Sequence, residues 1–263
     1  RAIDCSPRLT IGFRSTHRAT ASFHPMFSAG PVPQNQVVTS ELTGEELWNL
    51  ASLGLVPHQL VMAQGLAGST AAGSQEFLEE GAWNKRIHPG WAGAAGITAA
   101  QLARAGFKGP TKPYEGRAGL FKSHLGPAAA EVRYERMYES LGKTWEVHDV
   151  AIKPFPVCHF IHAAADSALI LRAQHAIEAQ DIERIIAYVP QPTLHIIAEP
   201  AANKVRPANE YDAKFSVQFV VAACLVKGRF GLAELLEQSL RDNDILPLAG
   251  RVEWPGDPEG QYP

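Results

Sequence analysis

The chain has 263 residues, enough for one large domain or two small ones around a buried core. A net charge of -3 leaves no basic excess, so nucleic-acid binding through phosphate neutralisation has no global support. Cys5, Cys158 and Cys224 stand far apart without C-x-x-C spacing, and no stretch of about 18 apolar residues or secretory leader stands out. A soluble, cytoplasmic protein with reduced thiols is expected, with no membrane partner and no disulfide scaffold.

Residues 1–40 are rich in Pro, Ser, Thr and Gly, and Pro25, Pro31 and Pro33 interrupt any helix, so this region reads as largely irregular. Thr43 ahead of Glu45 and Glu46, with Leu42, Leu47, Leu50 and Leu53 at helical spacing, predicts a capped amphipathic helix ending near Gly54. A second helix is expected over 58–80 and a third over 90–106, the latter stopped by Gly106 and Lys108-Gly109-Pro110. Both are rich in Gly and Ala, which disfavours helix unless close packing compensates. A short segment at 119–125 and a charged helix over 128–141 follow. The pattern then changes: strands are predicted at 145–152, 182–189, 194–198 and 251–254, with helices over 159–178, 211–227 and 231–241. The expected fold is mostly α with α+β, a helical bundle domain over 1–150 packed on a smaller α+β domain over 151–263. The boundary near Lys153 carries no flexible linker.

Two stretches carry chemistry. In Trp83-Asn84-Lys85-Arg86-Ile87-His88-Pro89-Gly90-Trp91 two cations and a histidine open a small-residue helix, where free backbone N–H groups and the helix dipole favour a carboxylate or phosphate. The plainer reading is that Lys85 and Arg86 are solvated and His88 is a hydrogen-bonded core residue. In Lys153-Pro154-Phe155-Pro156-Val157-Cys158-His159-Phe160-Ile161-His162 the prolines hold the backbone extended and fix Lys153 beside a helix start, which suits an anion clamp. His159, His162 and Asp166 share a helix face as incomplete metal ligands, or His162 simply pairs with Asp166. Cys158, among apolar neighbours, reads as an inert packing thiol. Lys214 is a third cation beside an apolar helix face. No G-x-G-x-x-G, G-x-x-x-x-G-K-[ST] or G-x-S-x-G is present, so nucleotide cofactors and a serine hydrolase elbow lack a signature.

FLEEGAWNKRIHPGWAGAAGITAAQLARAGFKGP, YEGRAGLF, AIKPFPVCHFIHAAADSAL and YDAKFSVQFVVAACLVKG together resemble the MmgE/PrpD family, cofactor-free enzymes that include 2-methylcitrate dehydratase, cis-aconitate decarboxylase and iminodisuccinate epimerase. The resemblance implies a hydro-lyase of small polycarboxylates, of the 2-methylcitrate dehydratase kind and active in propionate catabolism, needing no metal or cofactor. A decarboxylase, an epimerase or a non-catalytic fragment are the alternatives. It further implies that Lys85 and Lys153 bind substrate carboxylates and steady developing charge, that Arg86, His88, His162 and Lys214 help bind substrate, and that His17 does acid/base work. His17 stands where the family has a G-F-H-x-T string, but here Gly12-Phe13 runs into Arg14 and His24 competes for the role. Phe219 occupies a helix position where the family often carries tyrosine. Family members extend beyond both ends of this sequence and place the site between two domains, so weak or absent activity is expected of this chain alone. The small-residue helices make a homodimer the expected assembly.

Overall fold

The computed structural model describes residues 9–14 and 54–257. These contain eleven α-helices, several 3-10 turns and a small all-parallel sheet, so the chain is mostly α with an α+β part. They divide into two compact units. None of the described helices is long and apolar enough to cross a membrane. The capped helix expected before Gly54 lies outside the described residues.

The helical unit takes the described residues up to Phe77 from Gly54 and then Trp83–His148. Its two main helices, Pro57–Gly68 and Ile87–Arg104, pack on each other. Pro57 occupies the first helical turn, where its missing N–H costs nothing, and Gln59 Oε1 accepts from Val56 N at 3.2 Å. Met62, Ala63, Ala100 and Ala103 form the core between the helices. Small residues are used because backbones come close: a Cβ on Gly65 would overlap Pro110 O and stand 2.8 Å from Pro110 N and Cδ. The Ile87–Arg104 helix buries Ala92, Ala95, Gly96, Ala99, Ala100 and Ala103 and leaves Ile87, Trp91, Ile97 and Leu102 exposed, so its bulk points outward.

Three expectations for this region are corrected. The 58–80 helix stops at Gly68, where Gly68-Ser69-Thr70 turns the chain and Thr70 Oγ1 donates to Ala67 O at 2.8 Å; only Phe77–Glu80 resumes. The 128–141 helix is replaced by 3-10 turns at Gly126–Glu131 and Tyr134–Met137, separated by the extended backbone of Val132. The 145–152 strand is a 3-10 turn at Glu146–Asp149; Trp145 and Val150 are exposed and Ile152 is 92% exposed, so the alternation faces no second layer.

The α+β unit comprises the Leu9–Arg14 strand (β1), Leu78–Ala82 and 149–257, where the expectation was one run from residue 151. Its axis is the Val217–Lys227 helix, buried from Val217 through Leu225, apolar on every side as a central helix must be. Ser216 Oγ accepts from Phe219 N at 2.9 Å to cap its start, and Gly228, at φ +67°, ends it. The His162–His175 and Ile245–Ala249 helices pack against it. Ile182–Pro190 (β2) pairs in parallel with β1, Leu9 opposite Ile182 and Arg14 opposite Tyr188. Val252–Glu253 (β3) and Gly256–Asp257 (β4) also pair with β2 in parallel, at Ile185 and Val189 respectively. Ile182, Ile185, Ala187 and Val189 are buried in the core.

The strands at 182–189 and 251–254 form as expected, and the 159–178 helix forms as a 3-10 turn, His159–Ile161, running into an α-helix over His162–His175 that Ala176 ends at φ +47°. Four readings change. The region read as irregular contains β1, and 194–198 is a helix, Leu194–Ile197, following a turn in which Thr193 Oγ1 donates to Pro190 O at 2.8 Å. Ile197 and Ala198 are buried in the core, and Leu194 and Ile196 pack partly buried against it. The 211–227 helix breaks at Lys214–Ser216 because Asn209 and Ser216 each cap a separate helix, Glu210–Ala213 and Val217–Lys227. The 231–241 helix is a 3-10 turn, Ala233–Leu235, followed by Glu237–Leu240.

Candidate functional site

In the helical unit Lys85 and Arg86 lie in a 3-10 turn, Asn84–Arg86, that runs directly into the 18-residue Ile87–Arg104 helix. No acidic residue occupies that helix's first turn, so its positive end is not offset locally. Lys85 and Arg86 are exposed, the Arg86 guanidinium carbon stands 4.7 Å from the Trp83 ring centroid, and His88 packs half-buried with its ring 5.8 Å from Phe77, edge to face. The sequence therefore places Lys85, Arg86 and His88 within two turns around a helix N-terminus.

In the α+β unit the 154–157 segment, expected to be extended, bends instead and turns Lys153 and His162 onto one acceptor. Lys153 Nζ donates to Val157 O at 3.2 Å, and His162 Nε2 stands 3.4 Å from the same oxygen. The His162 ring meets Phe155 edge-on at 5.6 Å and lies 5.5 Å from His159. Burial lowers the pKa of His162, and the charges of His159 and Lys153 lower it further, against the raising effect of the Val157 carbonyl. A neutral imidazole results at neutral pH; with Nε2–H donating to Val157 O, Nδ1 keeps a lone pair. The contact with Val157 takes the place of the i, i+4 pairing with Asp166 that the sequence allows.

Lys214 is half-buried; its Nζ lies 4.0 Å from Glu210 Oε2 and 5.7 Å from the Tyr211 ring centroid. Its backbone oxygen accepts from Cys158 N at 2.8 Å, which fastens the 210–216 segment to the junction. His17 lies outside the described residues. No group of three or more His, Cys, Asp or Glu that could hold a metal ion gathers among the described residues, so His159, His162 and Asp166 do not form the ligand set their spacing suggests.

Residues 51–133 match the model of the MmgE/PrpD N-terminal domain and residues 155–262 that of the MmgE/PrpD C-terminal domain. The chain belongs to the MmgE/PrpD family. It is 28% identical over 179 residues to cis-aconitate decarboxylase of Homo sapiens, an overlap covering 64% of this chain and 34% of that protein. The chain thus spans about a third of that relative's length.

Within this MmgE/PrpD chain the structure adds residues that sequence reasoning passed over. Lys204 is 0% exposed, and its Nζ has no hydrogen-bond partner among the described residues. Burial lowers its pKa, opposed by the charges of Asp212, Glu79 and Cys158. Asp212, 1% exposed, has its pKa raised by burial although it accepts from Asn203 Nδ2 at 2.8 Å and Ala208 N at 3.0 Å. Gly81 presses on it, and Asn209 Nδ2 donates to Gly81 O at 3.3 Å. A lysine in an A-A-N-K-V string carries no sequence mark of burial; only tertiary packing reveals it.

Proposed function

We propose that this chain is the cationic part of a cofactor-independent lyase acting on a small polycarboxylate, by elimination of water from a 2-methylcitrate-like acid. The observation that carries the reading is the meeting of Lys153 Nζ and His162 Nε2 on the Val157 carbonyl. Removing a proton next to a carboxylate drives negative charge onto that carboxylate, and an ammonium held beside it stabilises the charge as it develops. His162, kept neutral, has a lone pair to take the proton. Lys85, Arg86 and the helix start beside them offer a second binding patch for a carboxylate, with His88 packed behind it. The hydroxyl then leaves as water once an acid protonates it; His17 is the candidate by resemblance. Lys214, engaged with Glu210, is assigned a supporting role in carboxylate binding.

Decarboxylation is the second reading, supported by the name of the human relative. Loss of carbon dioxide from cis-aconitate leaves a carbanion that the same cations stabilise. We further propose a cytoplasmic homodimer using the exposed Ile87, Trp91 and Leu102 of the Ile87–Arg104 helix.

Product analysis on 2-methylcitrate and cis-aconitate, side by side, tests the reaction. Any turnover this chain retains is expected to be dehydration; carbon dioxide release from cis-aconitate instead favours the second reading, and a folded chain that binds neither acid overturns both. Lys85→Ala is expected to weaken binding of citrate by about 1.5–3 kcal/mol, the range for a charge-assisted hydrogen bond, in calorimetry. An unchanged Kd removes Lys85 from the site. Light scattering reads the assembly, and a monomer at micromolar concentration refutes the dimer.

A further inference from the structure

The Ile87–Arg104 helix turns its alanines toward the Pro57–Gly68 helix and its bulk outward. Ile87, Trp91 and Leu102 fall within about 60° of one another around the helix axis and span about 22 Å along it, with Ile97 on the flank. Trp83 just before the helix and Phe107 just after it extend the apolar character, and Trp83, Ile87, Trp91 and Phe107 are each more than half exposed. The Trp91 ring is held in place, its Nε1 donating to Thr70 O at 3.4 Å.

Charge follows the same stretch. Residues 83–114 carry Lys85, Arg86, Arg104, Lys108 and Lys112 and no Asp or Glu, in a chain whose net charge is -3, so the acidity lies elsewhere. All five cations are exposed, Lys85 and Arg86 at one end of the apolar stripe and Arg104 and Lys108 at the other. Cations at both ends with aromatic and aliphatic side chains between them suit a helix lying flat on an anionic lipid surface, its apolar side at the acyl boundary and its basic ends among the headgroups. The stripe is the ridge of a helix, and a fluid surface moulds to a ridge where a protein partner needs a groove shaped to it. A second copy presents the same five cations, so pairing on this stripe sets like charges together, whereas an anionic surface supplies the opposite sign.

We propose that the exposed side of the Ile87–Arg104 helix is a docking surface for anionic lipid membranes, bound reversibly from solution. None of the described helices is long and apolar enough to cross a bilayer, but a helix lying on the surface needs no such span. The sequence, read for a span, therefore predicts no membrane partner. The homodimer proposed above uses the same stripe, so lipid binding and self-association compete for it. The inference does not depend on the lyase reading.

The test mixes the whole chain with vesicles of phosphatidylcholine alone, or of equal parts phosphatidylcholine and phosphatidylserine, and reads flotation. The chain should float with the mixed vesicles and not with phosphatidylcholine alone, and the bound fraction should fall as added salt screens the headgroups. Lys108→Glu, beyond the end of the helix, should weaken binding at least about fivefold, the share of one basic residue at a membrane surface. Ile87→Ser, with the circular dichroism spectrum unchanged, should weaken it about tenfold. A chain that stays in solution beside the mixed vesicles overturns the proposal on the natural protein alone, and if it is then a dimer the stripe belongs to the second copy. Equal binding to both compositions overturns the anionic requirement. Binding to mixed vesicles that Lys108→Glu leaves unchanged overturns the placement on this helix, whether or not Ile87→Ser folds.

Discussion

Gly81→Ala should destabilise the α+β unit well beyond a surface substitution. Gly81 sits at φ +66°, and a Cβ there would stand 2.7 Å from Asp212 Cβ, 3.1 Å from its Cγ and 3.2 Å from Asn209 Nδ2. The left-handed backbone alone costs an alanine about 1 kcal/mol. Asp212 has little room to retreat, because it is buried and bonded to Asn203 and Ala208. Moving it far enough to clear the new methyl lengthens at least one charge-assisted hydrogen bond, worth about 1.5–3 kcal/mol. The expected loss is therefore about 3 kcal/mol, measured by urea unfolding followed with a probe in this unit. Gly81→Asn separates the two terms, since asparagine tolerates the left-handed region but carries the same Cβ. Equal losses for Ala and Asn are expected if the clash dominates. A loss of about 1 kcal/mol for Ala, relieved in Asn, would refute the steric argument.

His162 has a lowered folded pKa, so the unfolded chain binds more protons through this group; its contribution to stability is present above about pH 6.5 and is lost as pH falls through the lowered value. His162→Gln should flatten the fall of Tm between neutral and mildly acidic pH, and an identical slope in both proteins contradicts the assignment. Phe219, 0% exposed in the core, should cost about 3–5 kcal/mol on truncation to alanine; a loss below about 1 kcal/mol would mean that the Val217–Lys227 helix is not the axis of its unit.

What the sequence made legible was whatever local chemistry decides. The Ile182–Pro190 strand is a β-branched run between turns, and the Ile87–Arg104 helix is marked by Pro89 near its start and Gly106 past its end. Lys153 and His162 were each singled out from the junction, but the sequence offered Asp166, not Lys153, as the neighbour of His162. Their common acceptor, Val157 O, is a backbone atom with no signature in residue type. Alternation misled at 145–152, where no layer covers it, and β-branching misled at Leu194–Ile197, where the core accepts a helix as readily as a strand. The Leu9–Arg14 strand does alternate, with Leu9, Ile11 and Phe13 apolar, but its Ser- and Pro-rich surroundings hid it. Lys204 and Asp212 were invisible because burial of a charge is a property of the assembled unit.

The parallel pairing of Leu9–Arg14 with Ile182–Pro190 sets an order of events for folding. The strand precedes the helical unit in the chain, and its partner emerges only after that whole unit has been translated. Contacts between such distant segments form slowly, and until they do an unpaired edge is open to other chains. Aggregation during expression should thus respond to changes in Leu9–Arg14 and to translation speed through the helical unit, even where neither alters the stability of the finished molecule.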